Sequence, residues 1–452
     1  MPKPPVTWEA GDNDWLVTGQ GGLGVIGQLL ATTSLGSQLN ASCVPEAKQP
    51  EISHRDVAFS FIGLLAQGQP DYDAIEAFRA DPFFALALSL EQVPSSPTLR
   101  QRLDQAAVGE DIAQWSQIFQ DTTVSLLTQH IHCEPIRIGS DPASAYVPLD
   151  LDVSPFDNGK TKKEGVSRTY KGCDGYAPIF SYLGHEGYAL GAELREGKQH
   201  SQKNTPAFLR QSLQRAHQIL PEAHLLVRMD SGNDAWDNMV VCRAEHADFL
   251  IKHNLRRESL DAWVTLARQE GHRTELRKGK AVYHGSTMRS PQAGRDPERV
   301  IYEVIERTST VTGQVLLFPD IEVATYWTSL PHDPVDILPW YPDHGTMEQY
   351  HSEYKTDMNL ERLPSGKFAT NALILQIALL VFNLLRIMGQ ATLDHPQVPL
   401  RRPVVRRRLR TVIQNLVLCA AQLIRHARRV WARYARHNPW GHVLGYLYAL
   451  WT

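Results

Sequence analysis

Cysteine is scarce in this 452-residue chain: there are five, at positions 43, 133, 173, 242 and 419, and no two form a C-x-x-C pair. An odd, scattered set excludes a disulfide framework and a zinc ribbon, and it fits a reducing, cytoplasmic compartment. The opening M-P-K-P-P-V-T-W lacks an apolar signal core, so no secretion signal is expected. The glycine-rich stretch Gly19 to Gly27 has no Gly-Lys-Ser/Thr after it. It is expected to be a turn leading into a helix over Val25–Ala31, not a nucleotide loop. One long apolar run, Ala369 to Met388, reaches about 20 residues, but Asn371, Gln376, Asn383 and Arg386 interrupt it, which predicts a buried helix and no membrane span. Acidic residues are missing altogether after Asp394, where Arg recurs at 401, 402, 406, 407, 408, 410, 425, 428, 429, 433 and 436. A net charge of −3 hides this asymmetry, which marks a chain that meets a polyanion on one face or, more plainly, carries a solvated basic helix.

What is present is an ordinary globular composition, 42% apolar and 21% charged, long enough for two or three cores. Residues 1–140 read as a helical N-terminal region, with helices over Asp56–Leu65 and Tyr72–Ala80 and a capped start at Ser95-Ser96-Pro97. Helical modules of this kind often contact DNA ends. His130-Ile131-His132-Cys133 finds no second cluster to complete a metal site, and alternating residues of a short strand explain it as well. From about 143 the texture changes. Strands are expected over Ala145–Asp152, Ala177–Leu183, Tyr188–Leu194, His224–Met229 and Phe249–His253, and a helix from Thr205 carries the stripe Phe208, Leu209, Leu213, Ala216 and Ile219. This succession is that of an α/β, RNase H-like mixed sheet with flanking helices, spanning 141–390. Residues 256–335 are expected to leave that core as a β-rich insertion, with Thr312-Gly313 as a hairpin turn between Gln314–Phe318 and the strand before it. Residues 391–452 read as a basic helical C-terminal region for DNA or multimer contact, with Val412, Leu416, Leu423, Val430 and Tyr434 on helical spacing.

Two aspartates end strands, in L-D-L-D-V-S and R-M-D-S-G, and the later run has the spacing Tyr341-x2-His344-x3-Glu348-x6-Lys355. Three carboxylates delivered this way can hold paired divalent cations on a phosphodiester, with one acid bridging and one on each side. Asp152 suits the bridging place and Asp230 and Glu348 the outer ones. Asp150 shares the strand face of Asp152 and is either the ligand in its stead or a supporting group. Lys355 lies two helical turns beyond Glu348, where it binds a neighbouring phosphate or pairs with Glu353. Tyr341 and His344 are candidates for backbone phosphate, and Trp340 and Trp327 for an unpaired base or for ordinary core packing. Lys160, Lys162 and Lys163 of a basic loop, with Arg406, Arg407 and Arg408 of the tail, complete the candidate DNA contacts.

On these residues the chain resembles bacterial insertion-sequence transposases of the DDE type, in the branch with a Tyr-Arg-Glu-Lys pattern, over roughly residues 145–390. Asp152, Asp230 and Glu348 fall on the family's acidic triad, and Tyr341, Glu348 and Lys355 on its C-terminal pattern, whose arginine position holds His344 here. The resemblance implies binding of terminal inverted repeats, cleavage with two Mg²⁺ ions (Mn²⁺ substituting), and joining of the freed 3′-OH to target DNA. It further implies a homo-oligomer on double-stranded DNA, at the nucleoid and away from membranes.

Overall fold

The computed structural model describes residues 15–42, 51–108, 111–141, 144–426 and 429–451. Among them the strands form one ten-stranded sheet and two three-stranded ones. The strands used below are β1 (Leu16–Thr18), β2 (Ile136–Arg137), β3 (Ala145–Val153), β4 (Ile179–Leu183), β5 (Tyr188–Glu193), β6 (Leu225–Met229), β7 (Asp248–Lys252), β8 (His272–Arg277), β9 (Lys280–Arg289), β10 (Glu298–Ser309), β11 (Val315–Thr328), β12 (Ala421–His426) and β13 (Arg429–Tyr434).

The heart of the large sheet runs β5-β4-β3-β6-β7. β3 pairs antiparallel with β4 and parallel with β6, and β6 pairs parallel with β7. This is the mixed RNase H-like order expected from the sequence. Parallel neighbours need crossovers, and the helices Thr205–Ile219 and Trp236–Ala244 supply the ones before β6 and β7. Thr205–Ile219 buries the expected stripe of Phe208, Leu209, Leu213, Ala216 and Ile219.

The β-rich stretch departs from expectation. It does not leave the core sheet: β11 pairs antiparallel with β7, so β8–β11 extend the same sheet. The strand expected over Gln314–Phe318 runs on without a break to Thr328, and its end, Tyr326 to Thr328, is buried against β7. Local patterning could not show this, because the join is made by a pairing some 75 residues apart in sequence. Trp327 lies in that join, 2% exposed, and is core.

The apolar run is the helix Phe368–Ala391, and 94% of its most apolar window lies inside the protein. Its polar interruptions dock it. Asn383 donates to the Ala189 carbonyl at 2.6 Å and accepts from the Ala189 amide at 2.9 Å, and Gln376 donates to Ala192 O at 2.7 Å. Those bonds satisfy the outer edge of β5, which otherwise would present open backbone groups.

The C-terminal region also differs. Helical backbone breaks off at Val417, and β12 and β13 form a hairpin that pairs with β1 from the far end of the chain before helix returns over Gly441–Leu450. Leu423, Val430 and Tyr434 fit a helical period, yet Ala421 and Leu423 bury one strand face while Gln422 and Ile424 stay partly exposed. The glycine stretch is explained by the same union. The Gly21 and Gly22 amides donate to the carbonyls of Cys419 (2.7 Å) and Val417 (3.2 Å), and a Cβ on Gly22 would sit 1.9 Å from the Leu416 oxygen. These amides are thus committed to backbone, not open to a phosphate.

Candidate active site

β3 and β6 are in parallel register with Leu151 opposite Met229, so Asp152 and Asp230 follow side by side at one sheet edge. Asp230 turns at once into a short 3-10 segment, its Oδ1 accepting from the Gly232 amide at 3.1 Å and Asn233 Nδ2 at 2.8 Å. Among the described residues Asp152 accepts from the Val153 amide alone, at 2.7 Å, and its other oxygen stands 3.9 Å from His351 Nδ1. Burial and then the Asp230 charge push the Asp152 carboxyl up to about 7. Two carboxylates that resist joint ionisation form a donor set which a divalent cation would relieve.

Glu348 arrives on the helix Met347–Ser352, which continues through a π turn, Glu353–Asp357. Met347, Tyr350, His351 and Tyr354 recur at helical spacing and face the sheet, with Tyr350 4.8 Å from Tyr182 and Tyr354 4.9 Å from Phe180 between ring centres. That leaves Glu348 exposed on another side. Among the described residues no three His, Cys, Asp or Glu side chains stand close enough to hold a metal ion together. Even so, the charges of Asp152, Asp230 and Glu348 all act on one group, the Tyr170 hydroxyl. It donates to Val153 O at 2.9 Å, and burial together with the charges of Asp152, Asp230 and Glu348 raises it well above the ordinary tyrosine range.

Lys355 lies beside this edge, its Nζ 5.6 Å from the Phe156 ring centre. It makes no ion pair among the described residues, and Glu353 is engaged elsewhere, by Arg386 and Arg406. Burial and the nearby Lys171 lower its affinity for a proton. Lys160 and Lys162 are exposed on the loop, whereas Lys163 is tied to Asn158 Oδ1 at 3.1 Å and to Leu363 O.

The other sequence candidates have internal partners. Both Asp150 oxygens accept from Arg228, at 2.7 Å each, and His344 Nδ1 lies 3.0 Å from the same carboxylate. Burial would raise the Asp150 carboxyl, but Arg228 and His344 hold it down to about 2. Arg406 bonds Glu353 and Gln349, at 3.1 and 2.7 Å, and Arg408 forks onto Asp357 at 2.8 and 2.9 Å. Arg407 is buried over the Trp440 ring, 4.1 Å from its centre. Tyr341 is half-buried, its ring 4.5 Å from that of Tyr326 and its hydroxyl aimed at Met229 O at 3.4 Å, and Trp340 lends its carbonyl to Arg228 Nη1 at 2.6 Å.

Arg228, bonded to Asp150 and to the Trp340 carbonyl, is a residue of this region that sequence reasoning missed. Its signal was a lone cation inside the apolar strand L-L-V-R-M, in register with Asp150 on β3. Tyr170 was missed as well, because only the fold brings its loop over the acids.

No curated protein matches the chain. Among solved structures, the cryo-EM synaptic complex of piggyBac transposase with hairpin DNA is similar at a TM-score of 0.45 and 10% identity, covering 87% of this chain and 78% of that one. A family model, transposase DDE domain group 1, matches residues 12–450, nearly the whole sequence. The chain therefore belongs to the transposase DDE domain group 1 family.

Proposed function

We propose that the protein binds the terminal inverted repeats of a mobile element, hydrolyses the DNA strand there and joins the freed 3′-OH to target DNA. DDE transposase domains generally use divalent metal ions, and here Asp152, Asp230 and Glu348 would hold two Mg²⁺, with Mn²⁺ as a substitute. Such ions activate the attacking oxygen, stabilise the leaving one and neutralise the phosphoryl charge. The observation that carries this reading is the side-by-side pair Asp152 and Asp230, held as mutually opposed acids at the end of two parallel strands.

The remaining residues take roles by their surroundings. Asp152 would be the ligand shared by the ions, because Asp150 is closed by Arg228. Asp150 with Arg228 and His344 supports: it fastens β3, β6 and the segment leading to Glu348 to one another. His344 thus works on a carboxylate instead of gripping phosphate. Lys355, an unpaired cation beside the acids, takes the phosphate next to the one cut, and Lys160 and Lys162 follow the backbone outward. Glu348, exposed on its helix, would supply the third carboxylate. Two copies on two element ends complete the assembly.

The test is cleavage and joining by purified full-length protein on duplexes carrying the element end. Asp152→Asn, Asp230→Asn and Glu348→Gln should each lower cleavage at least about a thousandfold while leaving binding of the end nearly intact. Retained cleavage in any of them removes that residue from the site. Hydrolysed products without joined ones would reduce the activity to that of a nuclease.

A further inference from the structure

The arginines of the tail fall into two populations. Arg406 and Arg408 are ion-paired to the helix that carries Glu348, and Arg407 is buried. Arg425, Arg433 and Arg436 are exposed, and among the described residues none of the three side chains makes an ion pair or hydrogen bond. They lie on or just beyond the β12–β13 hairpin, which with β1 forms a separate three-stranded sheet.

That sheet has one face in the protein and one outside. Leu16, Leu423 and Ala432 share a row, as do Thr18, Ala421 and Tyr434; Thr18, Ala421 and Leu423 are 5%, 4% and 8% exposed. The alternate rows, Val17 with Gln422 and Arg433, and Ile424 with Trp431, point the other way. On this outer face Val17 is 70% and Trp431 56% exposed, and Trp15 just before β1 is 67% exposed. Between Ala421 and Arg436 the sequence has Arg at 425, 428, 429, 433 and 436 and no acid. A second copy laid on the same hairpin would set like charges against each other. A polyanion would not, and a two-stranded ribbon is of a size that the major groove of DNA admits.

We propose that this hairpin is a DNA-contact surface separate from the sheet that carries Asp152 and Asp230, with Arg433 and Trp431 on its outer face, Arg425 on the opposite side near the end of β12 and Arg436 just past β13, the three arginines on backbone phosphates and Trp431 against sugar and base. It takes its partner from the transposase reading, but it assigns the contact to a surface the chemistry does not use.

Binding of the full-length protein to a random-sequence duplex, followed by anisotropy between about 50 and 200 mM salt, tests it. Each lost phosphate contact should flatten the log–log salt slope by about 0.9. The triple variant Arg425→Ala, Arg433→Ala, Arg436→Ala should therefore flatten it by nearly three, and the corresponding triple lysine variant should restore it. Trp431→Ala should weaken binding severalfold with the slope unchanged. An unchanged slope in a folded triple alanine variant overturns the proposal. So does a Trp431→Ala variant that loses a dimer in the absence of DNA while binding DNA normally, since the face would then be a protein interface. A wild-type protein that binds duplex but never cuts an element end would sink the transposase reading and leave this surface standing.

Discussion

Asp150 and Asp152 stand on the same face of one strand, and their surroundings are opposite. Asp150 is closed in by a guanidinium and an imidazole and held down to about 2, while Asp152 faces another acid and is pushed up to about 7. One carboxylate holds the protein together and the other strains it. The difference teaches how a strand can end in a reactive site: stability is concentrated one step inside, and the outer position keeps an unmet charge for a ligand to satisfy.

The sharpest way to break this comparison is to remove the cation from the satisfied member. Arg228→Met leaves Asp150 buried with only His344, and loss of one partner from a buried pair costs about 3–5 kcal/mol. Urea unfolding should show a loss of that order, and the double variant Asp150→Leu, Arg228→Met should recover most of it. The pH dependence has a definite sign. Because the folded Asp150 titrates below its ordinary range, its contribution is present above about pH 4 and fades as the pH falls toward 2. A loss below 1 kcal/mol in the single variant would show that the pair merely fills space.

The other member should behave in reverse. A carboxyl raised to about 7 favours the folded state while protonated, and that support is lost as the pH rises through 7. Cation-free protein should accordingly be more stable at pH 5 than at pH 8, by on the order of 2 kcal/mol from this group. Asp152→Asn should remove that slope and stabilise the protein at pH 8, as variants at strained sites often do. Mg²⁺ should stabilise the wild type at pH 8 and the variant much less. Equal pH slopes in both proteins would mean that Asp152 and Asp230 do not oppose each other.

The contrast also separates what could be read from the sequence from what could not. Strand-ending acids, the core helix stripe and the strand succession of the central sheet are local patterns, and they were legible. The Glu348 helix was legible too, since its buried residues recur at i, i+3, i+4 and i+7. The partner of Asp150 was not, because a cation within an apolar strand acquires meaning only when a parallel register sets it opposite an acid. The β12–β13 hairpin was hidden for the same reason. Its third strand, β1, lies some 400 residues away, and neither segment alone has the length to declare itself.

The tail arginines carry the comparison outward, with the smallest effect expected. Glu353 and Asp357 open and close the π turn that follows the Glu348 helix, and both are buried. Glu353 meets Arg386 and Arg406 and also accepts from the Leu409 amide at 3.1 Å. Asp357 meets Arg408 and the Arg410 amide, the latter at 3.0 Å. These acids are satisfied like Asp150, but the guanidinium of Arg408 is 47% exposed, so solvent screens most of the attraction. Arg408→Ala should then cost only about 1 kcal/mol, because the Arg410 amide remains on Asp357. Its effect on cleavage should be equally modest and should appear in turnover, since the C-terminal segment sets the helix that presents Glu348. If DNA affinity fell instead, with turnover on bound DNA unchanged, Arg408 would belong with the exposed arginines of the hairpin, and the division of the tail into a clamp and a contact surface would fail at that residue.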